Sequence, residues 1–100
     1  MEKNTPHRNL AVVKALIRAG KVRATSSALS GAAMLDMDFL DIVRVISDLR
    51  SADFYKSMTT YHDHRTWQDV YRPCVGAGLI YLKLVVVDDV LVVSFKESTQ

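Results

Sequence analysis

The spacing of apolar residues changes character at Ala52: helical three- and four-residue intervals precede it, and alternation follows it. In the first half, Leu10, Val13, Leu16 and Ile17 share one helical face, with Lys14, Arg18 and Lys21 on the other. Thr5-Pro6 reads as the start of this helix, and Gly20 as its left-handed stop. Val22 predicts a brief edge strand. Thr25 or Ser26 caps a short second helix through Leu35, weakened by Gly31. In the third helix Asp38 is the cap and Asp41 its capping-box partner. Phe39, Ile42, Val43, Ile46 and Leu49 form the buried stripe.

The second half predicts four strands, near Asp53–Tyr61, Trp67–Val75, Leu79–Val87 and Val90–Lys96. Their short connections require an antiparallel meander. Ile80, Leu82, Leu84 and Val86 should face the helices together with Leu91, Val93 and Phe95. Tyr81, Lys83, Ser94 and Lys96, diluted by Val85 and Val92, should face away. The architecture expected is α+β: a small twisted antiparallel sheet backed by three helices.

Turn chemistry then sets the register. A two-residue turn at Asp88-Asp89 places Tyr81 opposite Lys96. A type II′ turn at Gly76-Ala77 pairs Val75 with Gly78 and puts Arg72 opposite Tyr81. A five-residue loop over His62–Thr66 puts Lys56 opposite Arg72 and Thr60 opposite Gln68. Opposed residues project from one face, so Lys56, Arg72, Tyr81 and Lys96 form a transverse row, with Gln68 further along. Pro73 is the position where a bulge would shift it. An ordinary solvent-facing side of Lys, Arg and Tyr is the other reading of this row. As a site, it offers fixed positive charge, a hydrogen-bond donor and groups able to move a proton, which suits a phosphodiester.

Composition narrows the classes. One hundred residues, 49% hydrophobic and 24% charged, suit a single domain over 1–100 with one core. Apolar runs such as Leu84–Val87 are too short to cross a bilayer, and no secretory signal opens the chain. One cysteine, Cys74, excludes an internal disulfide and fits a reducing cytoplasm. Net charge is only +2, but Lys3, Arg8, Lys14, Arg18, Lys21 and Arg23 face only Glu2 in the first 23 residues. That basic stretch could track phosphates or simply be solvated. His62-Asp63-His64 lacks a third and fourth metal ligand nearby, and Cys74 lacks a base, so neither is expected to bind metal or react. Tyr55, Tyr61, Trp67 and Tyr71 could stack on bases, although Trp67 and Tyr71 are expected to pack the sheet against the helices.

DFYKSMTTY at 53–61, WQDVYRP at 67–73, YLKLVVV at 81–87 and DVLVVSFKE at 89–97 closely resemble the MqsR family of bacterial toxins. MEKNTPH at the start and VRATSSAL at 22–29 extend the resemblance along nearly the whole chain. It implies a RelE-like fold and an mRNA interferase, a metal-independent endoribonuclease cutting mRNA at GCU-type sites in the bacterial cytoplasm. The family's catalytic residues match Lys56, Gln68, Tyr81 and Lys96. Arg72, in the matching YRP motif, and Lys83 would bind RNA phosphate. No cofactor or metal is implied. The implied partner is an MqsA-type antitoxin with a zinc-bearing part and a helix-turn-helix part, through which the pair would reach operator DNA. The chain departs from the family pattern mainly in the helical half and around Pro73–Gly78, where Cys74 and Val75-Gly76 stand in place of a more basic turn.

Without a metal, RNA is cut by its own 2′-hydroxyl. A base takes the proton, the oxygen attacks phosphorus, and an acid protonates the departing 5′-oxygen, leaving a 2′,3′-cyclic phosphate. With no histidine in the row, Lys56 or Tyr81 is expected as base. The clustered cations Lys56, Arg72 and Lys96 should lower one another's pKa. A non-catalytic RNA-binding module, or a regulatory subunit with its sheet edge covered by a partner, remains the alternative.

Overall fold

The computed structural model describes residues 1–76 and 78–98. Its helices are α1 (Leu10–Arg18), α2 (Ser26–Ala33) and α3 (Phe39–Ser47). Its strands are β1 (Glu2–Lys3), β2 (Val22–Ala24), β3 (Phe54–Thr59), β4 (Trp67–Tyr71), β5 (Cys74–Val75), β6 (Gly78–Val86) and β7 (Val90–Glu97). The sheet runs β1-β3-β4-β6-β7-β2, with β5 paired to β6. It is α+β as expected, but mixed, because β2 runs parallel to β7.

α3 forms where its caps dictate. The Asp41 amide donates to Asp38 Oδ1 at 3.0 Å, and the Asp38 amide donates back to Asp41 Oδ2 at 2.9 Å. α2 starts at Thr25, whose Oγ1 accepts from the Ala28 amide and donates to the Val93 carbonyl, tying the helix start to β7. α1 begins later than Thr5-Pro6: Asn9 is the cap, its Oδ1 accepting from the Ala11 amide at 2.7 Å. Residues 4–8 cross the sheet instead, because the His7 and Arg8 amides donate to the buried Asp69 carboxylate at 2.9 and 3.1 Å. Gly20 ends α1 at φ +77°, as a left-handed stop.

The helices cover one face of the sheet. Val13, Ile17, Ala28, Ala32, Ile42, Val45, Ile46 and Leu49 meet Tyr71, Ile80, Leu82, Leu84, Val86, Val90, Val92 and Phe95 in one cluster. Each large aliphatic side chain there contributes about 1.5–3 kcal/mol. Tyr71 packs into the core, as expected.

The β6–β7 hairpin reaches the expected Tyr81–Lys96 pairing by another route. Val86 pairs with Val90, so the turn holds three residues rather than two. A bulge then places Val93 between the pairs Leu84–Val92 and Lys83–Ser94 and restores the register. Before the bulge the faces are exchanged: Val90 and Val92 are buried, and Leu91 and Val93 are not. The strand expected over Trp67–Val75 is split, since Pro73 has no amide to donate. Pairing in β5–β6 nonetheless keeps the expected register, with Val75 opposite Gly78. The turn type expected at Gly76-Ala77 falls on Ala77, outside the described residues.

No helix among the described residues is long and apolar enough to cross a membrane.

Candidate active site

The face away from the helices carries the charged side chains, and β6 runs through its middle. On this strand Tyr81 is opposite Lys96 of β7, and Lys83 is opposite Ser94 of β7 and Val70 of β4. Arg72 lies just past β4, on the Tyr81 side of that pairing, and its amide donates to the Asp53 carbonyl at 2.7 Å.

Lys56 does not lie opposite Arg72. It pairs with Val70, and Gln68 pairs with Met58 rather than Thr60. The cause is the loop, which spans Thr60–Thr66 rather than five residues. Asp63 closes it by accepting from the Arg65 and Thr66 amides and from the Thr66 hydroxyl at 2.6 Å. The shift of two residues keeps Lys56 on the expected face but moves it one step along the strand. The single expected row is therefore two: Arg72–Tyr81–Lys96, and Lys56–Val70–Lys83–Ser94.

A bulge between Phe54 and Lys56 adds Tyr55 to this surface. Simple alternation would turn Tyr55 away from Lys56, so as a site residue it was legible only as a stacking candidate. The two exposed-face phenols are each bracketed by cations. Arg72 Cζ lies 4.6 Å and Lys56 Nζ 5.2 Å from the Tyr55 ring centre. Lys96 Nζ lies 5.4 Å and Lys83 Nζ 5.8 Å from that of Tyr81. Tyr55, Arg72, Tyr81, Lys83, Lys96, Glu97 and Ser98 line a shallow depression of about 450 Å³. Lys56 and Gln68 lie outside its lining, although both are on the same sheet face.

The lysines do not behave as one group. Lys56 Nζ donates to Glu2 Oε2 at 2.7 Å, a contact made because β1 pairs along β3. This hydrogen bond, with the charge of Glu2, raises the Lys56 pKa against the opposing effect of burial. The expected mutual lowering is thus overturned at Lys56 by a carboxylate from the far end of the sequence. Lys83 goes the other way: burial lowers its pKa first, then the charges of Lys96 and Lys56.

On the opposite, helix-bearing face, the N-terminal segment covers the start of β4. His7 stacks on Trp67 at 5.8 Å between ring centres, and Lys3 Nζ sits 4.1 Å from the indole centre. Burial, then Lys3 and Arg8, lower the His7 pKa, with Asp69 opposing. Trp67 and Tyr71 therefore lie away from the candidate site. Exposed Tyr61 contacts only the ring of His62 among the described aromatic pairs. Among the described residues no three His, Cys, Asp or Glu side chains gather as metal ligands.

Residues 5–97 match the family model described as motility quorum-sensing regulator, toxin of MqsA. The chain is also 58% identical over 98 residues to the mRNA interferase toxin MqsR of Escherichia coli (strain K12), covering 98% of this chain and 100% of that protein.

Proposed function

The chain belongs to the MqsR toxin family, and from that footing we propose that it is an mRNA interferase whose active site is the cation-and-phenol face of the sheet. Lys56, Gln68, Tyr81 and Lys96 are its catalytic residues, and Arg72 and Lys83 add charge for the RNA phosphate. The observation that carries this reading is the bracketing of Tyr55 and Tyr81 by four cations on an open face. An extended anionic chain can lie across such a face, with bases on the rings and phosphates between the cations.

The reaction is attack of the RNA 2′-hydroxyl on the adjacent phosphorus, with expulsion of the 5′-oxygen. Fixed cations stabilise the doubly charged phosphorane, and a positioned acid or base adds ~10²–10⁴ in rate. GCU-type sites are the proposed preference. The proposed partner is an MqsA-type antitoxin, whose helix-turn-helix part would bring the pair to operator DNA and whose zinc would be its own. The cytoplasm, where mRNA is found, is the proposed place of action.

Cleavage of a GCU-containing RNA by purified protein in EDTA tests the reading. The expected products are a 2′,3′-cyclic phosphate and a 5′-hydroxyl, with cleavage lost in Lys56→Ala and Tyr81→Ala. An RNA carrying a 2′-deoxy at the cut site should be inert. Tight RNA binding without turnover would replace the enzyme with an RNA-binding module.

A further inference from the structure

We propose that Lys83 is the group that accepts the 2′-hydroxyl proton, while Lys56 stays charged and serves only as a fixed cation. This rests on the ribonuclease reading above, keeps Lys56 in its catalytic set as a cation that stabilises the phosphorane, and gives Lys83 a proton-transfer role beyond the phosphate contact stated there.

The placement of the four cations separates their roles. A guanidinium keeps its proton and has no free lone pair to accept another, so Arg72 can hold a phosphate but cannot act as a base. Lys56 is held by Glu2 at 2.7 Å. Lys96 is exposed near the end of β7. Lys83 is on β6, the strand between β4 and β7, opposite the fully buried Val70 that Lys56 also faces, and unlike Lys56 it lines the depression. Among the described residues it has no ion-pair partner. It also lines the depression with Arg72, Tyr81 and Lys96, where a phosphate would rest.

Every charged or titratable group around Lys83 acts in one of two directions. Lys96 on β7 and Lys56 on β3 lower its pKa, after burial has done most. Arg72 beyond β4 adds positive charge to the same depression, and Tyr55 and Tyr81 contribute neutral rings. Glu97 is the acidic side chain of the lining, and Glu2 is engaged by Lys56. Of the lysines on this face, Lys83 is therefore the one whose charged form these surroundings favour least.

The step balances without a co-reactant. The 2′-O–H bond breaks and its proton moves to the neutral Lys83 amine. The 2′-oxygen forms a bond to phosphorus as the bond from phosphorus to the 5′-oxygen breaks. The departing oxygen takes a proton from the Lys96 ammonium. Arg72 and charged Lys56 gain and lose nothing.

Single-turnover cleavage measured from pH 5 to 9 tests this, with RNA affinity measured separately on a 2′-deoxy-substituted RNA that cannot be cut. The parent rate should rise with pH along an acid limb. Lys83→Arg keeps the charge of the protonated lysine but cannot lose the proton. It should lower the rate at pH 7 by about 100-fold or more and abolish that limb, with RNA affinity within about threefold of the parent. Lys56→Arg should keep the limb at the same pH. A Lys83→Arg protein cleaving within about threefold of the parent, with the limb intact, overturns the assignment. Should Lys83→Arg fail to fold, Lys56→Arg and Tyr81→Phe decide together: a limb retained in both supports Lys83, and a limb lost in either makes that residue the base. A parent protein that binds RNA without cutting it overturns the ribonuclease reading itself.

Discussion

Replacing Gly31 with alanine pits two effects of opposite sign against each other. Helix propensity alone favours Gly31→Ala by about 1 kcal/mol, since the position is inside α2. The packing says otherwise. A Cβ at Gly31 would stand 2.0 Å from the Phe95 carbonyl oxygen and 3.2 Å from its carbon. The neighbour is strand backbone, which cannot swing aside as a side-chain tip can. α2 would have to retreat by roughly 1.5–2 Å to reach ordinary contact. That retreat opens the seam where fully buried Ala28 and Ala32 meet the core. Overpacking of this kind costs about 1–3 kcal/mol, and a clash with backbone belongs at the upper end. After the propensity gain is subtracted, a net loss of about 2 kcal/mol remains. For a domain of this size that lowers Tm by about 10 °C. Thermal unfolding followed by far-UV circular dichroism reads it directly. Because the same added methyl would lie 3.6 Å from Lys96 Cβ, RNA cleavage should fall as well. A Gly31→Ala protein as stable as the parent, or more so, would refute the reasoning.

Two further outcomes concern the N-terminal segment. Asp69→Asn weakens the carboxylate that receives the His7 and Arg8 amides. It should cost about 1.5–3 kcal/mol and speed hydrogen exchange at those two amides, and unchanged exchange would count against the clamp. His7 has a lowered pKa, so the unfolded chain binds its proton first as pH falls below about 6.5, and the clamp should loosen on the acid side. Fluorescence of Trp67, the chain's single tryptophan, should report this below pH 6.5. His7→Asn should remove the transition, and a transition that persisted would refute its assignment to His7.

Much of the fold was legible because its signals are local. The capping box of Asp38 and Asp41, the Thr25 cap and the Gly20 stop each depend on residues a few positions apart. What the sequence hid is non-local. Nothing near Thr5-Pro6 announces that Asp69 will hold the following amides, so the helix start was placed too early. Nothing near Lys56 announces Glu2, so its pKa was expected to move the other way. The Tyr81–Lys96 pairing emerged correctly although its turn was misread, because a three-residue turn and a one-residue bulge cancel. The faces of Leu91 to Val93 carry the trace of that cancellation. Lys56 kept its face for a comparable reason, since its register error was an even number. Gly31 was legible as a weak helix residue but not as a contact, because the partner is a backbone oxygen far along the chain.

The two edges of the sheet, β1 and β2, come from the first quarter of the chain, while the strands they pair with, β3 and β7, come from the second half. During synthesis both edges leave the ribosome long before their partners exist. β2 stays unpaired until Val90–Val92 emerge, and Glu2 has no lysine to hold until Lys56 does. Long-range strand pairing of this kind is slow to form and is completed late. The depression also needs Lys96 from the last strand. A nascent chain halted before that strand would therefore lack both the partner of β2 and one wall of the proposed site, so this architecture defers the proposed activity until nearly all of its own message has been translated.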